Sequence, residues 1–343
     1  MDEAWNKPGY FVFSLDTELA WGTLDWDQRS SERTSRDGKT ERETIRRLLD
    51  MMDEFGIVAT WAITGHLFFD KCEECDFCPV LDLKGKDSSF ENIWQSRDPM
   101  WYGADLVDML LSRGSGHEIA FHGYTHRLFS KLTRDEASFE IQEWLRLGKR
   151  KGIVPRTVVF PQGRIQHLDL FQEAGFICYR GNDVRHPVFS FPLLGKVLNR
   201  LNLVLSMMTP QVYEIKADQR LVNVPSSQWL FRTDRRIEKS LDWLNLHNLR
   251  FFRTVKGIEK AARGKKIIHL FAHPHEFRTE KDFDKLRHIF CHFAKYAKQG
   301  RLRSITMADI AKEALKTHTA NSTMPSLNAM MTSIQPERGR CNL

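Results

Sequence analysis

Short apolar runs alternate with segments of helical periodicity along most of the chain. Apolar runs that stop at polar or turn-forming residues are typical of buried strands. The predicted strands are Tyr10–Leu15, Ile57–Ile63, Glu118–Phe121, Thr157–Phe160, Phe176–Tyr179, Leu221–Val224, Lys266–Phe271 and Arg303–Ile305.

The segments between these runs carry apolar residues at helical spacing. Ile45, Leu48 and Met52 lie on one face of such a segment, which ends at Gly56. Thr133-Arg-Asp-Glu136 is a capping-box pattern that predicts the start of another helix. The predicted helices are Thr40–Phe55, Ala104–Arg113, Thr133–Arg150, His167–Ala174, Asp234–His247, Arg253–Arg263, Lys281–Lys298 and Met307–Leu315.

The repeated strand–helix units predict a parallel sheet, because each parallel crossover needs a connecting helix. Seven or eight such units predict an α/β fold, a distorted (β/α) barrel, with catalytic residues at the carboxyl ends of its strands. We expect one catalytic domain over residues 1–316, with insertions near 70–100 and 183–219. The polar residues 317–343 are expected to form a disordered tail.

The composition changes this picture little. The 343 residues are 41% hydrophobic and 28% charged, as in ordinary globular proteins. Since the chain shows neither a run of about 18 apolar residues nor a secretory signal pattern, we expect a cytoplasmic location. The net charge of +7 favours acidic partners or reflects a basic solvated surface. No nucleic-acid-binding motif is visible, so no nucleic-acid partner is expected.

Two carboxylates stand at the end of the first predicted strand. Asp16 and Glu18 are two residues apart, so an extended chain projects them from one face. Carboxylates placed so close repel each other unless a cation or a proton lies between them. The pair therefore indicates a metal site or an acid–base pair, with a solvated loop as the alternative.

Histidines follow two other predicted strands. His122 and His126 are four residues apart, and such a pair can bind one metal ion. His273 and His275 follow the strand Lys266–Phe271. Because strand ends meet at one edge of a barrel, these groups predict one convergent site. Imidazole and carboxylate ligands suit Zn²⁺ or a similar divalent ion.

The ordered motifs resemble those of the polysaccharide deacetylases, the NodB-homology group or carbohydrate esterase family 4. The resemblance spans roughly residues 10–310. It implies a NodB-like barrel and a metal-dependent removal of an acetyl group from a sugar. Ser14-Leu-Asp16-Thr-Glu18 looks like a variant first motif of the Asp-x-Glu kind, and His122-Gly-Tyr-Thr-His126 resembles the second motif.

The resemblance also implies roles for single residues. Asp16 would be the catalytic base and His273 the general acid, with His275 as its rival. Glu18, His122 and His126 would bind the metal, Zn²⁺ first, with Co²⁺, Mn²⁺, Ni²⁺ and Fe²⁺ as alternatives.

The chain departs from the family pattern at three points. Thr17 replaces the second aspartate of the first motif, and Gly123 stands where Ser or Thr is usual. The third motif, which includes Pro161, lacks the arginine that orients the base. Arg164 and Arg180 are the candidates to supply that charge from another position.

Other features remain open at this stage. Cys72, Cys75 and Cys78 have metal-site spacing, with free thiols in a variable loop as the alternative. The segment 191–208 is apolar with interspersed basic residues, which suits either peripheral membrane contact or packing on the barrel. Aromatic candidates for stacking on sugar rings, with core packing as the alternative, are Trp21, the first choice, and Trp26, Trp101 and Trp229.

We therefore expect a deacetylase of an amino sugar in glycan or glycoconjugate biosynthesis. The partner would be a nucleotide-sugar, a lipid-linked sugar or an oligosaccharide. The alternatives are a deformylase or amidase acting on a lipid-linked sugar or small molecule, and a catalytically degenerate member that only binds glycan.

Overall fold

Nine parallel strands form one curled sheet in the computed structural model. The structure describes residues 7–23, 35, 37–71, 99–114, 116–184, 209–215, 221–231 and 248–323. The strands are β1 Gly9–Thr17, β2 Thr60–Ile63, β3 Glu118–Phe121, β4 Thr157–Val158, β5 Cys178–Tyr179, β6 Val222–Asn223, β7 Gln228–Trp229, β8 Ile267–Ala272 and β9 Leu302–Ser304.

Eight of the strands follow the order β6-β5-β4-β3-β2-β1-β8-β7, and β9 pairs with β1 beside this path. The first residues of β1, Gly9 to Phe11, pair with β9, whereas Ser14 to Thr17 pair with β2. The edge strands β6 and β7 are joined by the short segment 224–227. The result is the predicted distorted (β/α) barrel, curled and left open between its two edge strands.

Helices cover the outer face of the sheet, as parallel crossovers require. They are α1 Lys39–Phe55, α2 Ala104–Ser112, α3 Arg134–Arg150, α4 Leu168–Glu173, α5 Asn248–Gly264 and α6 Glu280–Ala297. The last helix, α7 Met307–Thr323, packs instead on the inner side of the sheet. The predicted capping box at Thr133 and Glu136 opens α3, with both reciprocal hydrogen bonds present. One-turn helices follow several strands, at Leu19–Thr23, Gly65–Phe68, Phe129–Lys131, Pro161–Gly163 and Pro274–Glu276.

The two-residue period of the strands separates two layers of the core. On β1, Phe11 and Phe13 point outward and pack against aromatic rings of α6. Val12 points into the barrel and joins small and branched side chains from the other strands. Helix α7 packs on that inner cluster, and its first amides bond to Thr60 and Glu118 at the start of β2 and β3. The amino end of the barrel is therefore filled, and its carboxyl end is left for polar side chains.

Several element boundaries differ from those predicted. Helix α5 begins at Asn248, five residues before the predicted start at Arg253. Strand β4 ends at Val158, two residues before the predicted end at Phe160. Helix α7 continues through Thr323, beyond the predicted end at Leu315 and into the predicted tail, since polar Thr and Asn residues can still form main-chain helical bonds.

Other predictions fall outside the described residues. They are the helix Asp234–His247, the segment 191–208, the Cys72/Cys75/Cys78 cluster, Trp26 and the tail after Thr323. Within the described part of the second predicted insertion, Tyr213 bridges to Ile267 and donates a hydrogen bond to the Pro225 carbonyl, at 2.6 Å. Among the described residues, no helix combines the length and apolar character needed to cross a membrane.

Candidate metal centre and its surroundings

The predicted polar residues converge at the carboxyl end of the barrel. Asp16 shares the inward face of β1 with Val12 and Ser14, so the strand period carries its carboxylate to the rim. Glu18 follows the end of β1, His122 follows β3, and His273 follows β8. Strands that are far apart in the sequence therefore supply neighbouring side chains.

Glu18, His122 and His126 form the one group of three potential metal-binding side chains found within the described ranges. Their donor atoms all lie within 4.8 Å of one another. Glu18 Oε2 is 3.2 Å from His122 Nε2 and 2.8 Å from His126 Nε2. Two atoms that each bind one Zn²⁺ at about 2.0–2.2 Å in a tetrahedral site lie about 3.4 Å apart, close to the separations observed. The spacing therefore fits three ligands of a single ion.

The hydrogen bonding of the two histidines also suits a metal. His122 Nδ1 lies 2.8 Å from the Val159 carbonyl oxygen. Because a carbonyl only accepts, Nδ1 carries the proton and Nε2 presents its lone pair towards Glu18. His126 Nε2 is buried, and its close approach to Glu18 Oε2 does not have the geometry of a hydrogen bond. Two imidazoles and a glutamate are one of the donor sets of catalytic zinc sites.

The loop between the two histidines explains one departure from the family pattern. Gly123 has φ 77°, a left-handed conformation that suits glycine and strains other residues. A Cβ at this position would also lie 3.2 Å from the His126 amide nitrogen. His126 itself adopts φ 60°, at a cost of about 1–3 kcal/mol. The surrounding structure must hold this loop in place.

The Glu18 carboxylate rests against the main chain of Gly22, in the turn Leu19–Thr23. A side-chain carbon at Gly22 would overlap the carboxylate of Glu18. Burial by itself raises the pKa of Glu18, but the adjacent His126, His122 and His273 lower it well below 4.5. Glu18 is therefore an anion, and its carboxylate can occupy this position only because residue 22 is a glycine.

Gly22→Ala is expected to weaken Zn²⁺ binding by about 10–100-fold, the usual cost of disturbing the support of a metal ligand. The added methyl group forces the Glu18 carboxylate out of the ligand set. Chelator competition on the purified protein measures the affinity. Gly264→Ala is the matched control, because its added methyl group meets only ordinary contacts. Unchanged affinity in Gly22→Ala would show that Glu18 is not held in this way.

Asp16 is paired with Arg180, which follows β5 on the inward face. Arg180 donates from both terminal nitrogens to the two Asp16 oxygens, at 2.6 and 2.5 Å. Burial raises the pKa of Asp16, but the Arg180 guanidinium, His122 and His273 outweigh it and lower the pKa to about 2. Asp16 is therefore an anion with a fixed orientation.

Of the two candidates for the missing third-motif arginine, Arg164 and Arg180, it is Arg180 that contacts Asp16. Arg164 is exposed, and no hydrogen bond or ion pair of its side chain is found in the described structure. It follows the one-turn helix Pro161–Gly163, on the surface rather than in the barrel interior. The expectation that Arg164 supplies the charge is therefore wrong for this structure.

A buried network behind Arg180 escaped the sequence analysis. Arg180 donates to Ser14 Oγ at 3.2 Å, and Ser14 Oγ lies 2.8 Å from His269 Nε2. His269 Nδ1 faces the Pro225 carbonyl at 3.1 Å, so it is the donor there and Nε2 accepts from Ser14. Burial lowers the pKa of His269 to about 3, so the ring is neutral. The strand period was the available signal, because Ser14 and His269 are inward-facing positions of β1 and β8.

His273 lies at the mouth of the site, with 15% of its side chain exposed. Its Nε2 is 3.7 Å from Asp16 Oδ2 and 3.9 Å from Glu18 Oε1. Its Nδ1 is 3.3 Å from Glu276 Oε2, and Trp229 donates to the same carboxylate at 2.9 Å. Burial lowers the pKa of His273, but Glu276, Glu18 and Asp16 raise it to about 9.

Glu276 is not among the residues predicted from the sequence, although it stands three residues after His273 in the same turn. His275, the other candidate for the general acid, is half-buried, and its ring centroid lies 5.1 Å from that of His273. His273 is the residue that contacts the carboxylates of the site.

Trp21 belongs to the core rather than to a sugar-binding surface. It is fully buried, donates to the Trp101 carbonyl at 2.7 Å and packs on the His66 ring at 4.3 Å. The predicted stacking of Trp21 on a sugar is therefore wrong for this structure, because packing leaves no ring face open. Trp101 is also buried. Trp229 is half-buried beside His273, with ring centroids 5.3 Å apart.

The fold and the site together define a class of protein: a parallel (β/α) barrel with two histidines and one carboxylate that could hold a metal ion at the carboxyl ends of its strands. The family model described as polysaccharide deacetylase matches residues 29–174. The resemblance to this family is therefore confirmed over that region of the chain. The matched region includes His122 and His126, whereas Asp16, Glu18 and His273 lie outside it.

Solved structures support the same fold. A protein of Mycobacterium smegmatis, provisionally described as a polysaccharide deacetylase, is 16% identical with a TM-score of 0.54, covering 97% of this chain and 96% of that one. One from Pseudomonas aeruginosa PAO1, provisionally described in the same way, is 13% identical with a TM-score of 0.54, covering 92% and 93%. An allantoinase is 13% identical with a TM-score of 0.53, covering 90% and 91%. No curated protein sequence matches the chain.

Proposed function

We propose that this protein is a metal-dependent hydrolase that removes an acetyl group from an amino sugar. One observation carries the proposal: a fitting metal-ligand set lies beside an Arg-paired Asp16 and a Glu-paired His273. Glu18, His122 and His126 would hold the ion, with Zn²⁺ as the first choice for this donor set. The match to the polysaccharide deacetylase family points to the acetyl group and the sugar.

Each residue has a task that its surroundings suit. A bound Zn²⁺ supplies an activated water, since it lowers the pKa of its water ligand from 15.7 to about 7. Asp16, held by Arg180, would accept the proton of the attacking water at its free lone pairs. His273, oriented by Glu276, would donate a proton to the leaving nitrogen. The roles of base and acid thus fall on groups with opposite charges.

The substrate we favour is an N-acetylated sugar in a precursor of a glycan or glycoconjugate, such as a nucleotide-sugar, a lipid-linked sugar or an oligosaccharide. The basic net charge of +7 supports an anionic carrier group. A cytoplasmic site of action remains part of the proposal.

The experiment measures acetate release by the purified protein after chelation and after reloading with Zn²⁺ or Co²⁺. We expect release from an N-acetylated sugar in the loaded protein and none in the stripped protein. The panel includes free, nucleotide-linked and oligomeric N-acetylglucosamine, the N-formyl analogue and a small non-sugar amide. Release from the formyl or non-sugar compound alone would favour the deformylase or amidase alternative. Glycan binding without release would identify a degenerate member.

A further inference from the structure

The loop that carries the two metal-binding histidines is attached to a buried carboxylate of helix α3. Glu140 is 2% exposed. Its Oε2 accepts hydrogen bonds from the Tyr124 amide at 2.7 Å and from the Thr125 amide at 2.9 Å. Its other oxygen is bonded to the Thr125 hydroxyl. All three bonds go to residues between His122 and His126, and none goes to a ligand itself.

The opposite side of the same loop is held by the turn after β2. Gly65 donates its amide to the Gly123 carbonyl at 2.8 Å. His66 donates its amide to the Tyr124 carbonyl at 3.1 Å, and its Nδ1 lies 2.9 Å from the same oxygen. Because that oxygen only accepts, Nδ1 is a second donor. The loop is therefore bonded through its carbonyls on one side and through its amides on the other.

The left-handed conformations of Gly123 and His126 make these bonds necessary. A loop of this shape does not form its own helical or strand bonds, so its amides need an outside acceptor. Without Glu140, two buried amides lose their partner, and the loop gains by relaxing towards ordinary backbone angles. Relaxation would rotate His126 away from Glu18, which it now faces at 2.8 Å.

We propose that Glu140 is a positioning residue for the metal centre, which sets the affinity for the ion by holding the His122–His126 loop in its ligating shape. The inference rests on the metal site of the proposed function. It extends that site to a residue of helix α3 that contacts neither the ligand atoms nor the substrate. Glu140 lies 14 residues after His126 in the chain.

The chain offers a matched carboxylate at the other end of the barrel. Glu118, at the start of β3, also accepts three hydrogen bonds: from Thr60 Oγ1 at 2.8 Å, from the Ala308 amide at 3.0 Å and from the Thr157 hydroxyl. It supports helix α7 and lies at the opposite end of β3 from His122. Loss of either carboxylate removes the same number of bonds, but only Glu140 supports the ligands.

The experiment compares Glu140→Leu with Glu118→Leu and measures the Zn²⁺ affinity by chelator competition, with the melting temperature of the metal-free protein beside it. We expect Glu140→Leu to bind Zn²⁺ about 10–100-fold more weakly and Glu118→Leu to keep the wild-type affinity, while both melt at lower temperature. Glu140→Gln is expected to restore binding, because its carbonyl oxygen still accepts both amides. Wild-type affinity in Glu140→Leu, or an equal loss in Glu118→Leu, would overturn the proposal.

If Glu140→Leu does not fold, Thr125→Val takes its place. It removes only the hydroxyl bond to Glu140, and we expect a smaller loss of affinity, below about 10-fold; no loss counts against the proposal. The result is separate from catalysis. A wild-type protein that binds Zn²⁺ without releasing acetate overturns the proposed function and leaves the role of Glu140 measurable. A wild-type protein that binds no Zn²⁺ overturns both.

Discussion

His122→Ala is expected to abolish stoichiometric Zn²⁺ binding and to lower acetate release by about 10³-fold or more. A catalytic metal contributes several kcal/mol of charge stabilisation in the transition state, and each 1.36 kcal/mol is a factor of ten in rate. His122 is almost fully buried, its tautomer is set by the Val159 carbonyl, and its loss leaves only Glu18 and His126 of the candidate ligand set. Metal analysis and acetate assays on the same preparation measure both effects.

His117→Ala is the matched control for this variant. His117 stands just before β3, as His122 stands just after it, and its Nδ1 accepts from the Ala59 amide at 3.0 Å. It is therefore a structural histidine at the opposite end of the same strand. We expect His117→Ala to keep full metal content. Full metal content in His122→Ala would refute the metal site, and in Glu18→Ala it would refute the assignment of Glu18 as a ligand.

Asp16→Asn is expected to lower the rate of acetate release by about 10²–10⁴-fold, the contribution of a positioned general base, while the protein keeps its metal. Removing one partner of a buried ion pair also costs about 3–5 kcal/mol of folding free energy, because the Arg180 guanidinium then lacks its counter-ion. Rate and stability must therefore be measured together, by acetate release and by denaturant unfolding.

The double variant Asp16→Asn/Arg180→Met separates the two effects. Replacing both members of a buried pair is often close to neutral for stability, so we expect the double variant to recover stability without recovering activity. Recovery of activity along with stability would show that Asp16 acts only through the fold. A variant that loses its metal as well would place Asp16 among the ligands.

The second-motif histidines and the strand ends could be predicted from local pattern because they depend on short-range rules. Apolar runs bounded by turn residues mark strands, and parallel strands bring their carboxyl ends to one edge of a barrel. His122, His126 and Glu18 could be grouped on that basis, and the structure brings them within ligand distance. Asp16 and His273 lie beside them, as expected.

The neighbours of these residues could not be predicted in the same way. Arg180 and Arg164 are equally plausible in the sequence, but Arg180 lies two residues after the inward-facing Cys178, just past the end of β5, and therefore also faces inward. Trp21 follows the first motif closely, yet the core takes it up completely. In each case, the direction in which the folded backbone points the side chain decides whether it reaches the site, the core or the surface.

The sequence by itself determined the fold class, the order of the strands along the chain and the histidines and carboxylates expected at their ends, because these follow from periodicity and spacing. The tertiary structure alone decided which groups support them. Arg180 and Asp16 are 164 residues apart, and Ser14 and His269 are 255 apart. Such contacts depend on strand register and on the depth of each side chain in the barrel, and neither is encoded locally. The same holds for Glu140, whose three bonds are visible only once helix α3 is packed beneath the His122–His126 loop.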